Sequence, residues 1–187
     1  MTHYLDIHLR PDPEFSVQHL MTAMYAKLHR ALVRLGVATI GVSFPGQSEA
    51  AGGLGDTLRL LGPPSDLSQL MAMEWLNSMR DHVQFSVVAP VPPNAKFRTL
   101  RRIQAKSNPA RIRRRQMHRL GLTEAEASAQ LPNNSPKFLD LPFVRLTSTS
   151  TGQAFRLYLR LSLDQPAAQS GTFNAYGLSA TATIPCF

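Results

Sequence analysis

Residues 4–36 read YLDIHLRPDPEFSVQHLMTAMYAKLHRALVRLG and combine the pattern of a strand with the pattern of a helix. Leu5, Ile7 and Leu9 alternate with polar residues, which is the two-residue period of a half-buried strand. Gly36 can end the following helix in the left-handed conformation. The apolar residues of that helix recur every three or four positions: Val17, Leu20, Met21, Met24, Leu28, Ala31, Leu32 and Leu35.

The same two patterns continue to residue 90. Alternating apolar residues predict strands at 38–44, 56–62 and 83–90. Between the last two strands, Ser65 is expected to cap a second helix that continues to Met79. Its inward-facing residues are predicted to be Leu67, Leu70, Met71, Trp75 and Met79. The resulting order, β-α-β-β-α-β, predicts a ferredoxin-like domain within an α+β protein.

The second half of the chain differs in composition and charge. The stiff stretch PVPPN, residues 90–94, predicts a boundary between a domain at 1–93 and a basic α+β domain at 94–187. The first part carries six Lys/Arg against eight Asp/Glu, and the second carries fourteen against four. We expect an extended segment at 96–107, a helix from Asn108-Pro109 to Gly121, and a capping box of Thr123 with Glu126. Two strands joined near residues 150–153 follow.

Several classes of protein are disfavoured by composition. Cys186 is the only cysteine, and the six histidines lack metal-ligand spacing, so neither a disulfide framework nor a zinc site is expected. The chain has no apolar run of eighteen residues and begins without the pattern of a signal peptide. We therefore expect a cytoplasmic protein without cofactor, metal or membrane partner.

The basic residues concentrate at 95–120, which hold ten of the twenty Lys/Arg and no acidic residue. On a helix from Pro109, five basic side chains fall within an arc of about 140°, with apolar residues on the other side. That arc contains Arg111, Arg114, Arg115, His118 and Arg119. Because guanidinium groups bridge phosphate oxygens, the pattern favours a nucleic-acid backbone over a merely solvated cationic helix. Charge alone leaves DNA and RNA open, although a double-helical segment fits better than a single strand.

Five motifs together resemble one known family: HYLDIHLRPDPEF at 3–15, KLHRAL at 27–32, RRIQAKSNPARIRRRQMHR at 101–119, LDLPFVRLTSTSTGQAFRLYLR at 139–160 and YGLSA at 176–180. The family is the CRISPR-associated endoribonuclease of type I-F systems. The resemblance implies a metal-independent enzyme that recognises a stem-loop in CRISPR precursor RNA and cleaves on its 3′ side. It also implies that the enzyme is a monomer when isolated, keeps the mature guide RNA hairpin, and joins other subunits of a surveillance complex.

Catalytic roles follow from the resemblance. His29 matches the histidine that removes a proton from the ribose 2′-hydroxyl, a task that suits imidazole near neutral pH. Ser148 matches the serine that holds this hydroxyl, and Tyr176 the tyrosine that orients the histidine ring. Ser150 and Thr151 are expected to line the same pocket. Without the resemblance, a lone histidine at position 29 would more often be structural or simply exposed.

RNA-binding roles are implied in the same way. Arg102 and Gln104 match a pair that reads base edges near the bottom of the stem, and Phe155 matches an aromatic that stacks on the terminal base pair. Arg115 and Arg119 match contacts to the phosphates of the stem. The sequence departs from the family pattern at His118, where another arginine is expected, and in the tail TATIPCF, residues 181–187.

Two other functions fit the same residues. The first is a hairpin-binding subunit of the same fold that no longer cleaves RNA. The second is a basic scaffold module that binds ribosomal RNA or DNA through the same helix.

Overall fold

The computed structural model contains helices and antiparallel strands, and it describes residues 1–47, 53–104, 109–130, 139–148 and 151–187. The predicted α+β class is confirmed. The strands are β1 His3–Leu9, β2 Gly41–Ser43, β3 Thr57–Gly62, β4 Val83–Phe85, β5 Ala89–Pro90, β6 Lys96–Arg98, β7 Leu100–Ile103, β8 Phe143–Thr147, β9 Ala154–Leu161 and β10 Ile184–Cys186. The helices are α1 Val17–Leu35, α2 Pro64–Ala72, α3 Pro109–Leu120 and α4 Glu124–Gln130, with a 3₁₀ helix at Asn77–His82.

The first sheet has the strand order β2-β3-β1-β4, and the short strand β5 also pairs with β1. All of these pairs are antiparallel. The central strand β1 buries Leu5, Ile7 and Leu9, as the alternating pattern predicts. Asp6 lies opposite Arg59 in the register of β1 and β3.

Helix α1 forms as predicted, and one side of it packs into the hydrophobic core. Ser16 caps its start by accepting a hydrogen bond from the backbone of His19, and Gly36 ends it in the left-handed conformation. Val17 departs from the predicted apolar stripe, since it is 43% exposed, whereas Tyr25 is fully buried. The buried residues of the helix are Leu20, Met21, Met24, Tyr25, Leu28, Ala31 and Leu32.

The second helix is shorter than predicted. It begins at Pro64, without a side-chain cap from Ser65, and ends at Ala72. Glu74 then adopts a positive φ of 49°, which stops the helix before the 3₁₀ helix. The Glu74 carboxylate accepts hydrogen bonds from Asn77 and Arg80, and these bonds stabilise the bend. The expectation of one continuous helix to Met79 is therefore wrong, because local side-chain contacts outweigh the apolar periodicity.

A second sheet has the order β7-β9-β8, and β6 pairs with β10 in a separate two-stranded sheet. The predicted pair of strands joined near residues 150–153 is confirmed as β8 and β9. Helix α1 packs against β8, so the buried side of this sheet adjoins the core of the first. Val144, Leu157 and Leu159 supply fully buried side chains to it.

The chain divides into two compact units. One comprises Met1–Ile103 with Leu141–Phe187, and the other comprises Gln104–Asp140. This division differs from the predicted boundary at residues 93/94. The assignment of a ferredoxin-like domain to residues 1–93 and of a basic RNA-binding domain to residues 94–187 stays a prediction.

Helices α3 and α4 form the unit Gln104–Asp140. Helix α3 begins at Pro109 as predicted, and Gly121, with φ of 65°, follows its last residue. The capping box is also confirmed. The Thr123 backbone donates to the Glu126 carboxylate at 2.9 Å, and the Glu126 backbone donates to the Thr123 hydroxyl at 3.4 Å.

Candidate active site

His29 lies on α1, half-buried, with its imidazole stacked on the ring of Tyr176. The ring centres are 3.9 Å apart and the planes differ by 5°. Position 29 is near the last turns of α1, and Tyr176 lies in the loop that precedes β10. Two of the residues predicted to be catalytic are thus brought together although they are far apart in the sequence.

One ring nitrogen of His29 forms a hydrogen bond with the backbone. Nδ1 lies 2.8 Å from the carbonyl oxygen of Ala175. Since a carbonyl oxygen can only accept, Nδ1 carries the hydrogen, and the neutral ring keeps its lone pair on Nε2. The stacking and the hydrogen bond together fix the orientation of the ring and direct a basic nitrogen away from Ala175.

The loop that carries Tyr176 is held by a tight turn. The side-chain oxygen of Asn174 accepts from the backbone N–H of Tyr176 at 2.9 Å and of Leu178 at 3.2 Å. Gly177 has φ of 69°, and its carbonyl accepts from the backbone of Val42 on β2 at 3.0 Å. A Cβ at position 177 would lie 2.6 Å from Val42 Cγ1, so both the conformation and the space require glycine.

Tyr25 anchors the same loop from α1. Its hydroxyl donates to the carbonyl oxygen of Tyr176 at 2.7 Å, and its side chain is completely buried. Burial raises the pKa of the Tyr25 hydroxyl well above its usual range, and the nearby Tyr176 adds to the increase. Tyr25 therefore stays protonated and remains a hydrogen-bond donor to the loop.

Ser148 lies at the end of β8, where the chain turns toward β9. Its backbone N–H donates to Gln153 at 2.9 Å, and its hydroxyl accepts from the backbone of Thr151 at 3.3 Å. Gly152 has φ of 67° and donates to the carbonyl of Ser148 at 2.8 Å. These bonds define the turn that carries Ser148 and Thr151, but they do not join Ser148 to His29. Ser150 lies outside the described residues.

Arg102 and Phe155 lie near each other on the second sheet. The guanidinium carbon of Arg102, on β7, is 5.5 Å from the ring centre of Phe155, on β9. Arg102 is exposed and Phe155 is half-buried, so both keep surface for a ligand. Gln104 follows β7 and is also exposed.

Helix α3 presents four of its basic side chains to solvent, as the helical projection predicts. Arg111 lies within the helix, but its side chain is outside the described residues. No acidic residue occurs in the sequence of α3, so the helix contains no internal charge partner. The exposed basic side chains are Arg114, Arg115, His118 and Arg119.

Within the described ranges, no three His, Cys, Asp or Glu side chains lie close enough to hold a metal ion. In the same part of the chain, no helix combines the length and apolar character of a membrane span.

The hydrogen bonds that hold the Tyr176 loop in place were not predicted from the sequence. Tyr25 lies beside His29 on a helical wheel, but that position gives no sign that its hydroxyl bonds a loop 151 residues away. The turn at 174–178 offers one readable signal, because an asparagine followed three residues later by glycine is typical of a tight turn. The partner of that turn could not be read from sequence.

Comparison with known proteins identifies the chain's relatives. The model of the family described as CRISPR-associated protein (Cas_Csy4) matches residues 4–187. A protein of Pseudomonas aeruginosa (strain UCBPP-PA14), named CRISPR-associated endonuclease Cas6/Csy4, is 49% identical over the whole of both chains. A protein of Escherichia coli (strain UTI89 / UPEC) with the same name is 44% identical, again over the whole of both chains.

Proposed function

Because the chain belongs to the Csy4 family of type I-F CRISPR-associated endoribonucleases, we propose that it cleaves CRISPR precursor RNA at the 3′ side of the repeat stem-loop without a metal ion. The observation that carries the proposal is the His29–Tyr176 pair, in which Nδ1 is bonded to Ala175 and Nε2 is left as the base. The similarity to proteins named as CRISPR-associated endonucleases supports the choice of RNA class.

The proposed reaction is an internal transesterification. Nε2 of His29 takes the proton of the ribose 2′-hydroxyl, and the 2′-oxygen attacks the adjacent phosphorus. The bond from phosphorus to the 5′-oxygen of the next nucleotide breaks, and that oxygen takes a proton. The products are a 2′,3′-cyclic phosphate, which can open to a 3′-phosphate, and a 5′-hydroxyl.

Ser148 is proposed to hold the 2′-hydroxyl in line with the breaking bond. Its place in a hydrogen-bonded turn supports a fixed hydroxyl position, because the Thr151 backbone donates to the hydroxyl itself and Gln153 restrains the Ser148 backbone. A residue that acts through orientation contributes to the rate more than to RNA affinity. Tyr176 is proposed to orient the His29 ring that is stacked on it. Ser150 and Thr151 are proposed to line the pocket in which His29 and Ser148 act.

Recognition of the stem-loop is proposed to use two groups of residues. Arg102 and Gln104 read base edges at the bottom of the stem, while Phe155 stacks on the terminal base pair. The 5.5 Å approach of Arg102 to the Phe155 ring supports their joint action at one end of the RNA. The second group is α3, whose exposed basic side chains contact phosphates: Arg111, Arg114, Arg115, His118 and Arg119.

Residues 1–93 are proposed to form a ferredoxin-like domain that supplies His29, and the sheet order β2-β3-β1-β4 supports this. Residues 94–187 are proposed to bind the hairpin. We further propose that the protein keeps the mature guide RNA and, with it, joins other subunits of a surveillance complex.

Replacement of His29 by alanine tests the catalytic role. His29→Ala is expected to lower the cleavage rate of repeat RNA in EDTA at least a hundredfold, the usual contribution of a general base, with hairpin affinity nearly unchanged. His19→Ala is the matched control, since it changes an exposed histidine on the same helix. Cleavage by His29→Ala at the rate of the control would reject the assignment. If neither the unchanged protein nor the control cleaved, the non-cleaving alternative would stand.

A further inference from the structure

Four arginines lie on one side of the second sheet, and the proposed function uses none of them. Arg101 on β7 is directly opposite Arg160 on β9, and Arg145 on β8 is directly opposite Arg156 on β9. Residues that lie opposite each other in an antiparallel pair project from the same side of a sheet. Positions 156 and 160 are also on one side, because side chains alternate along a strand. We call these four residues the arginine face.

The arginine face is exposed and lacks acidic neighbours on its own strands. All four side chains are exposed, and the sequences of β7, β8 and β9 contain no Asp or Glu. Within the described ranges, Arg101, Arg145 and Arg160 form no ion pair, whereas Lys96 and Arg98 on β6 both pair with Asp164. The side chain of Arg156 lies over Phe143, with its guanidinium carbon 4.5 Å from the ring centre.

Like charges directly opposite each other destabilise a sheet. Within the described ranges, Arg101, Arg145 and Arg160 have no ion pair that offsets this repulsion, so an anionic ligand would stabilise this side of the sheet. The two pairs are four residues apart on β9, a separation of about 13 Å at the usual rise of a strand. That length corresponds to roughly four phosphates of one stacked nucleic-acid strand.

The arginine face and the Arg102–Phe155 group project from opposite sides of the same strands. Arg101 precedes Arg102, and Arg156 follows Phe155. Because successive side chains of a strand point to opposite sides of the sheet, the two residues of each pair lie on opposite sides. A rigid stem seated on Phe155 reaches one side only. A flexible single strand that continues from the stem can pass around the sheet edge to the other side.

We propose that the arginine face binds the phosphates of single-stranded RNA that flanks the stem-loop on its 5′ side. This inference rests on the proposed function, since it takes the stem-loop as the RNA at Phe155. It adds a second binding surface, so the protein would hold the RNA beyond the hairpin as well as the hairpin itself. Guanidinium groups suit this ligand because they bond phosphate oxygens without reading base sequence.

The test compares two RNAs that both end at the 3′ base of the stem, so neither can be cut there. One is the bare stem-loop, and the other carries eight further nucleotides on its 5′ side. The double variant Arg145→Gln/Arg160→Gln is expected to bind the flanked RNA about tenfold more weakly and to reduce its salt slope by about 1.4, the value for two phosphate contacts on a single strand. Its affinity for the bare stem-loop should stay within twofold.

Two further variants complete the test. Arg10→Gln/Arg34→Gln removes the same charge from exposed positions elsewhere and should leave both affinities within twofold. Arg145→Lys/Arg160→Lys keeps the charge and should retain most of the affinity for the flanked RNA. An unchanged melting temperature and an unchanged cleavage rate on stem-loop substrate would show that the glutamine variant is folded.

Two results would overturn the proposal. Equal affinity of the glutamine variant and the Arg10/Arg34 control for the flanked RNA would mean that the arginine face does not contact it. Equal loss of affinity for the flanked and bare RNAs would mean that the arginine face contacts the stem. Neither measurement depends on catalysis, so failure of the catalytic assignment would appear separately, as cleavage by His29→Ala.

Discussion

The tautomer of the His29 imidazole is set by a residue that lies far from it in the sequence. His29 could be placed on α1 from periodicity, but its protonation pattern depends on Ala175, 146 residues further along the chain. No local pattern specifies that bond. The resemblance supplied the identity of the candidate base, and the folded structure supplies the tautomer that makes Nε2 available.

Gly177 offers a direct test of the loop that carries Tyr176. Gly177→Ala is expected to destabilise the protein by about 1–3 kcal/mol because it combines a left-handed conformation with a collision against Val42. We expect slower cleavage as well, since the turn positions the ring stacked on His29. Thermal unfolding and single-turnover cleavage measure the two effects.

Gly152→Ala is the matched control for that substitution. Gly152 has nearly the same φ, 67°, but a Cβ there would meet nothing within 4 Å. It should therefore show the conformational cost without the collision. If both variants lost equal stability, contact with Val42 would not explain the requirement for glycine at position 177.

At the scale of whole elements, apolar periodicity predicted most of what formed. Strand β1, helix α1 and the β8–β9 pair follow their patterns because one side of each is buried. Helix α2 fails to continue because Glu74 takes a left-handed conformation that Asn77 and Arg80 stabilise. Such side-chain bonds are invisible to a periodicity argument.

The arginines that are proposed to bind phosphates also destabilise helix α3 in the free protein. Arg115 and Arg119 are four residues apart, so their like charges repel each other on the helix surface. Arg115→Glu would replace that repulsion with an attraction of about 0.2–0.5 kcal/mol. We therefore expect no loss of stability in the free protein, together with at least tenfold weaker hairpin binding at low salt.

Thermal unfolding and a salt titration of hairpin affinity measure these two effects. His29→Ala serves as the comparison, because it is expected to alter cleavage without altering affinity. Unchanged hairpin affinity in Arg115→Glu would contradict the role of α3 as a phosphate-binding helix.

At the scale of the whole molecule, a buried ion pair ties the first sheet to residue 187. Arg59 donates to both carboxylate oxygens of Asp6, at 2.7 and 2.8 Å, and to a backbone oxygen of Phe187 at 3.0 Å. Its guanidinium carbon also lies 3.8 Å from the centre of the Phe187 ring. Strand β10, which precedes Phe187, is thus joined to the sheet that supports α1.

Asp6→Asn tests this tie. Removing one charge leaves Arg59 buried without its counter-charge, so we expect a loss of about 3–5 kcal/mol in the free energy of unfolding. Glu74→Gln breaks an exposed pair with Arg80 and should change stability much less. Denaturant unfolding compares the two variants, and equal stability of both would contradict the importance of the buried pair.

In the proposed reaction, the ribose 2′-oxygen is the atom that attacks the phosphorus. The most direct measurement is cleavage in EDTA of a repeat stem-loop RNA that carries one deoxyribose immediately 5′ of the scissile phosphate. We predict that the all-ribose RNA is cut to a 5′-hydroxyl and a 2′,3′-cyclic phosphate or 3′-phosphate, while the substituted RNA binds equally well and stays intact. Cleavage of the substituted RNA, or a requirement of the all-ribose RNA for magnesium, would contradict it.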